Sequence, residues 1–155
     1  MLGWLDFLDG RYAEAIEHYR RADEIEPYKA KIHFQWGTAA ARMNAWDQAT
    51  DQFRQAMTID PNHADACDSL SRVLQIQGQL KQAVQYAIQA TRITNRKQPA
   101  MLLHLAELFA ETQQFQDARQ TASEALVAAQ NSRSQLTPII QKRLTEYTAL
   151  EQKNK

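Results

Sequence analysis

Four histidines and a single cysteine are the side chains in this 155-residue sequence best suited to hold a metal ion or attack a substrate: His18, His33, His63, His104 and Cys67. A metal site built on a helix or a turn needs ligands a few residues apart. No two of these histidines stand three or four residues apart, and one cysteine supplies no pair. No metal site is therefore expected, and no intrachain disulfide can form. Gly3, Gly10, Gly37 and Gly78 are scattered along the chain rather than gathered into a loop that could cradle phosphate. Carboxylates are numerous but spread over solvent faces. No catalytic constellation emerges, so neither enzymatic activity nor a cofactor is expected. What remains is the chemistry of recognition, in which aromatic and arginine side chains anchor a partner.

Charge narrows the partner class. Lys plus Arg number 18 and Asp plus Glu number 18, so the formal net charge is zero. A dedicated nucleic-acid surface needs a basic excess, and none is present. The balance is uneven along the chain. Residues 1–29 carry four basic and seven acidic side chains, whereas residues 131–155 carry five basic and two acidic. No apolar run approaches the roughly 20 residues that span a bilayer. Nothing resembles a secretory leader. Direct membrane insertion is not expected, and a cytoplasmic location is favoured.

The elements that must position any binding residues are legible from internal repetition. The stretch WDQATDQFRQAMTIDPNHA (residues 46–64) echoes YAEAIEHYRRADEIEPYKA (residues 12–30). Trp46 answers Tyr12, Phe53 answers Tyr19, and Pro61 answers Pro27, all at an offset of 34. Later units start at Ala64 and Pro99. Each unit reads as two helices joined by a tight turn, with apolar residues at three- and four-residue steps. Asn44 and Ala45 make one such turn. Gly37, Ser71 and Ala106 are small where two backbones must approach. Ala15, Ala49, Ala83 and Ala118 are small at the facing point. Pro27 and Pro61 end the second helices because proline breaks the hydrogen-bond ladder. Asn95 serves there in the third unit.

This pattern resembles the tetratricopeptide repeat, a helix–turn–helix unit of about 34 residues. The resemblance implies an all-α fold, a right-handed superhelical solenoid of antiparallel helix pairs. It covers about four repeats, at 1–29 (with an incomplete first helix), 30–63, 64–98 and 99–131, in a single domain. Ala40 departs from the pattern on a first helix. Ala87 and Ala122 stand where a large aromatic is usual, which implies looser packing in those units. The order of features from Ile93 to Gln130 looks like the last repeats of bacterial tetratricopeptide arrays. Such arrays form tails of larger proteins, including membrane-bound glycosyltransferases.

Both ends carry further expectations. The first helix begins part-way through its repeat, and Leu2, Trp4, Leu5, Phe7 and Leu8 crowd it, as though the sequence were a piece of a longer array. Association between copies through this apolar end is a further expectation. At the other end Leu136, Ile140, Leu144 and Tyr147 form an apolar stripe. A capping helix is expected over 132–152, with Pro138 in its first turn and Ser134 or Thr137 as its cap.

In a solenoid of this kind the first helices line a concave groove, where partners are generally held. By register the groove candidates are Trp4 and Phe7 from the first unit, then Lys31, Phe34, Thr38 and Arg42 from the second. Asp65, Asp68 and Arg72 follow from the third, and Leu103, His104 and Glu107 from the fourth. The expected partner is a protein or peptide segment with an apolar anchor followed by polar or mixed-charge residues. One subclass of the family grips the terminal carboxylate of chaperones with Lys, Asn and Arg. Phe34, Thr38, Ser69 and Asp65 occupy those places here, and an acid at Asp65 would repel a carboxylate.

Overall fold

The computed structural model describes residues 2–154 and contains helices and turns only. The chain divides into two compact units between Gln79 and Leu80, a point inside the third repeat. The first unit holds α1 (Leu2–Leu8), α2 (Tyr12–Ile25), α3 (Ala30–Arg42), α4 (Trp46–Ile59) and α5 (Ala64–Ile76). The second holds α6 (Leu80–Ile93), α7 (Pro99–Glu111), α8 (Phe115–Asn131) and α9 (Thr137–Lys153). Within each unit every helix packs on the next in chain order.

The repeat period is built into the backbone. Four residues in the turns between first and second helices take positive φ: Gly10 (78°), Asn44 (58°), Gly78 (73°) and Gln113 (62°). Glycine and asparagine enter this left-handed region most readily, and three of the four positions use them. Asn95 and Arg96 also have positive φ, which turns the chain from α6 toward α7 without a proline. Pro99 opens α7, where its missing N–H costs nothing. The first turn of α5 is capped by a side chain the sequence did not reveal, since His63 Nδ1 accepts from the Ala66 N–H at 3.3 Å.

Small residues set the helix crossings. Ala15, Ala49, Ala83, Ala118, Ser71 and Ala106 are all fully buried. Behind the first crossing, Tyr19 and Ile32 gather with the half-buried Phe7, Tyr12 and Trp36. His33 is a packed histidine that ties three helices together. Its Nδ1 shares a hydrogen bond with Gln52 Oε1 on α4 at 2.9 Å. Its Nε2 lies 3.1 Å from Asp23 Oδ1 on α2, a close contact rather than a directed hydrogen bond.

The second unit corrects two expectations. Ala122 was expected to leave loose packing, yet Tyr147 of α9 joins Ala106, Ala118 and Ala122 in one cluster. The bulk absent from α8 is supplied by α9. Neither Ser134 nor Thr137 caps α9, whose cap position is Leu136. Ser134 Oγ instead accepts from the Leu136 N–H at 3.2 Å, and the Thr137 hydroxyl donates to the Ser134 carbonyl at 2.8 Å. Pro138 does lie in the first turn.

Candidate functional site

The first helices of the first unit present nine of the twelve groove candidates. On α1, Trp4 is 46% exposed and stacks on the half-buried Phe7, with ring centroids 5.5 Å apart. On α3, Lys31 and Arg42 are exposed, and Phe34 and Thr38 are half-buried. The Thr38 hydroxyl donates to the Phe34 carbonyl at 2.8 Å, so it is turned back on its own helix. On α5, Asp65 is exposed, and Arg72 Nε donates to Asp68 Oδ2 at 2.9 Å. That pair spans one helical turn, with Arg72 exposed and Asp68 mostly enclosed, and it orients Arg72.

Phe34 is less free than a groove anchor should be. Its ring sits 6.0 Å from Phe53 and 4.8 Å from His63. It therefore belongs partly to the hairpin core.

The fourth-repeat candidates belong to the second unit, and two of them are not open surface. Leu103 is 9% exposed and packs with Leu102, Ala125, Ala129 and Ile140. His104 is 1% exposed. The sequence register put both on a first helix, but the apolar stripe of α9, through Ile140, covers Leu103. Glu107 is half-buried, with Arg143 Nε of α9 3.6 Å from its Oε1. Leu103 and Glu107 thus meet α9, and His104 is enclosed.

Among the described residues two cavities stand out, neither expected from the sequence. The larger, about 1010 Å³, lies in the first unit and is mostly apolar. Leu2 and Trp4 of α1, Tyr19, Ala22 and Ile25 of α2, and Phe34 of α3 line it. Arg21, Lys29 and Lys31 stand at it as well. The smaller, about 610 Å³, lies in the second unit beside the turn before α7, where Arg96 Nε is ion-paired with Glu124. Cys67 is fully buried, and burial pushes its thiol up to about 11. A thiol so placed is a small apolar filler, not a nucleophile. Among the described residues no group of three or more His, Cys, Asp or Glu is arranged to hold a metal ion. No helix among them is long and apolar enough to cross a membrane.

Helical hairpins with a 34-residue period, small residues at the crossings and a left-handed residue in the turn inside each repeat define an all-α repeat fold. Models described as tetratricopeptide repeat match residues 1–29 and 63–97. The chain is 28% identical over 82 residues to the tetratricopeptide repeat-containing protein trd-1 of Caenorhabditis elegans, a match covering 53% of this chain. It spans only 11% of that relative's length. The fold is shared with the crystal structure of MamA, with a TM-score of 0.75 at 13% identity, over 99% of this chain and 96% of MamA. It is likewise shared with the MamA RS-1 ArsTM double mutant, at TM-score 0.76 and 16% identity, over 99% of this chain and 92% of the other. Both family matches and the curated relative support assignment to the tetratricopeptide repeat family.

Proposed function

We propose that the chain binds a peptide or protein segment through the first-helix face of its first unit, without catalysis. The observation that carries this is the arrangement of exposed cations with part-exposed aromatic rings, Trp4, Phe34, Arg42 and Arg72, on successive first helices. Aromatic and arginine side chains are the residues that most often carry binding energy. The paired Asp68 and Arg72 favour a ligand of mixed charge beyond its apolar anchor. The test is selection of a displayed random-peptide library on the full chain. Winners are then re-measured on an Arg42→Ala, Arg72→Ala double variant, whose substituted side chains are exposed and leave the core intact. A loss of about tenfold or more in affinity supports this face. Equal binding moves the function elsewhere.

One observation favours a second reading, association between copies through the apolar start. Leu5 is 55% exposed, whereas the residues at the same repeat position, Ala39, Val73 and Leu108, are 0%, 3% and 0% exposed. Exposed apolar surface of this kind commonly marks an interface. Sedimentation would detect it as a mass that rises with concentration and returns to monomer in Leu5→Glu. A monomer at every concentration would dismiss it.

A further inference from the structure

The cavity of about 610 Å³ in the second unit lies where two neighbouring elements depart from the repeat. The link from α6 to α7 is one residue longer than the link before it, since the unit starts Ala30, Ala64 and Pro99 are 34 and then 35 residues apart. Two consecutive left-handed positions form this link, Asn95 (φ 51°) and Arg96 (56°). The Arg96 N–H donates to the Thr91 carbonyl at 2.7 Å, and the Lys97 N–H donates to the Thr94 carbonyl at 3.1 Å. So pinned, the turn carries Arg96 to α8, where its Nε donates to Glu124. The second departure is in α8 itself. With Ala15, Ala49, Ala83 and Ala118 aligned, Val127 stands where the earlier second helices carry Glu24, Thr58 and Arg92. Ser123 stands where two of them carry Arg20 and Arg54. Short side chains thus face the cavity, and Val127 is 54% exposed on it.

The floor is apolar and the wall is polar. Val127 and Ala128 supply methyl groups to the floor. On the wall, Lys97 is exposed and has no ion pair among the described residues. Arg96 uses its Nε on Glu124, and its two terminal nitrogens make no hydrogen bond among the described residues. Asn131 adds an exposed amide. Two cations face one carboxylate, so the wall keeps a single positive charge. A singly charged anion matches that balance, whereas a dianion would be repelled by Glu124. Guanidinium and ammonium groups hold carboxylates through charge-assisted hydrogen bonds. A mostly apolar cavity of this size with a few convergent polar groups is the usual form of a small-molecule site.

We propose that this cavity binds an amphipathic monocarboxylate, its aliphatic or aromatic body lying on Val127 and Ala128 and its carboxylate held by Lys97 and the terminal nitrogens of Arg96. The site lies wholly in the second unit, apart from the first-helix face of the first, and does not rest on the groove reading. A small organic acid and the last residue of a peptide both carry this chemistry.

The test is titration of the isotope-labelled full chain with phenylbutyrate at neutral pH and constant ionic strength, read by amide chemical shifts. Saturable shifts are expected at Lys97, Val127, Ala128 and Asn131. Phenylbutyramide, the same body without the charge, should bind about fivefold more weakly. Val127→Glu places on the floor the acid that the first repeat carries at Glu24, and should weaken phenylbutyrate about tenfold. Lys97→Ala should weaken it about threefold. Both positions are exposed, and circular dichroism confirms that each variant keeps its helices. Arg42→Ala with Arg72→Ala should bind like wild type. N-acetyl-leucyl-phenylalanine, with its carboxylate free, distinguishes the two sources. Tighter binding than phenylbutyrate assigns the site to peptide ends, and weaker binding assigns it to free organic acids; the carboxylate chemistry stands in both cases. Absence of saturable shifts at these residues with either acid overturns the proposal. So does equal binding of the amide, which would leave an apolar surface only, or unchanged binding by folded Val127→Glu.

Discussion

A Cβ atom built on Gly37 would stand 2.8 Å from the Phe53 ring and 3.3 Å from the Ala49 carbonyl oxygen. The relation recurs 34 residues earlier, where a Cβ on Gly3 would stand 2.9 Å from Tyr19 and 3.1 Å from the Ala15 carbonyl oxygen. The two hairpins share one crossing geometry, set by glycine on one helix and alanine on the other. Gly37→Ala would gain up to about 1 kcal/mol of helix propensity. It would also force a fully enclosed ring to move, and overpacking of that kind costs about 1–3 kcal/mol. Overpacking wins, so net destabilisation of about 1 kcal/mol is expected in urea unfolding. A stabilised variant would show that the crossing relaxes freely.

Phe34 and Phe53 should separate by energy. Phe53 is almost wholly buried, and Phe53→Ala should cost about 3–5 kcal/mol. Phe34 is half-buried against Phe53 and His63, so Phe34→Ala should cost about 1–2 kcal/mol. Equal losses for the two would contradict the assignment of Phe34 to the edge of the core.

Tyr147 makes stability depend on alkaline pH. Burial, with a smaller contribution from Glu107, pushes its phenol from 10.0 up to about 12. The folded state keeps a proton that the unfolded state has released between those values, so raising the pH there favours unfolding. The stability this group lends is whole below pH 10 and is lost as pH rises toward 12. The loss is bounded by about 1.4 kcal/mol per pH unit. Denaturation of wild type and Tyr147→Phe at pH 9 and pH 11 isolates it: wild type should lose more than the variant. Parallel losses would place the phenol in water.

Cys67 should resist thiol reagents in the folded chain. Its sulfur is fully enclosed and its thiol is raised to about 11, so thiolate is scarce at neutral pH. Labelling by a disulfide reagent at pH 8 should proceed only as fast as α5 opens, and complete at once in denaturant. Immediate labelling of the native chain would contradict the burial.

The period was readable because packing geometry repeats it. Ala15 and Ala49 need to be small for the same reason, and Gly10 and Asn44 both turn the chain through positive φ. Gln113 takes the same conformation with a residue type that gives no warning, so only its place in the register marks it. Site accessibility was less legible. Register put His104 and Phe34 on first helices alike, but whether another element covers such a position depends on tertiary packing. Leu103 lies under Ile140 of α9, a helix outside the repeat pattern.

The most direct measurement is amide chemical-shift mapping of the full chain, titrated with a peptide selected on it. The account predicts the largest shifts on α1, α3 and α5, around Trp4, Phe34 and Arg72, with α4 and α9 unaffected. Shifts confined to α4, α8 or α9 would contradict it, because the partner would then ignore the first-helix face.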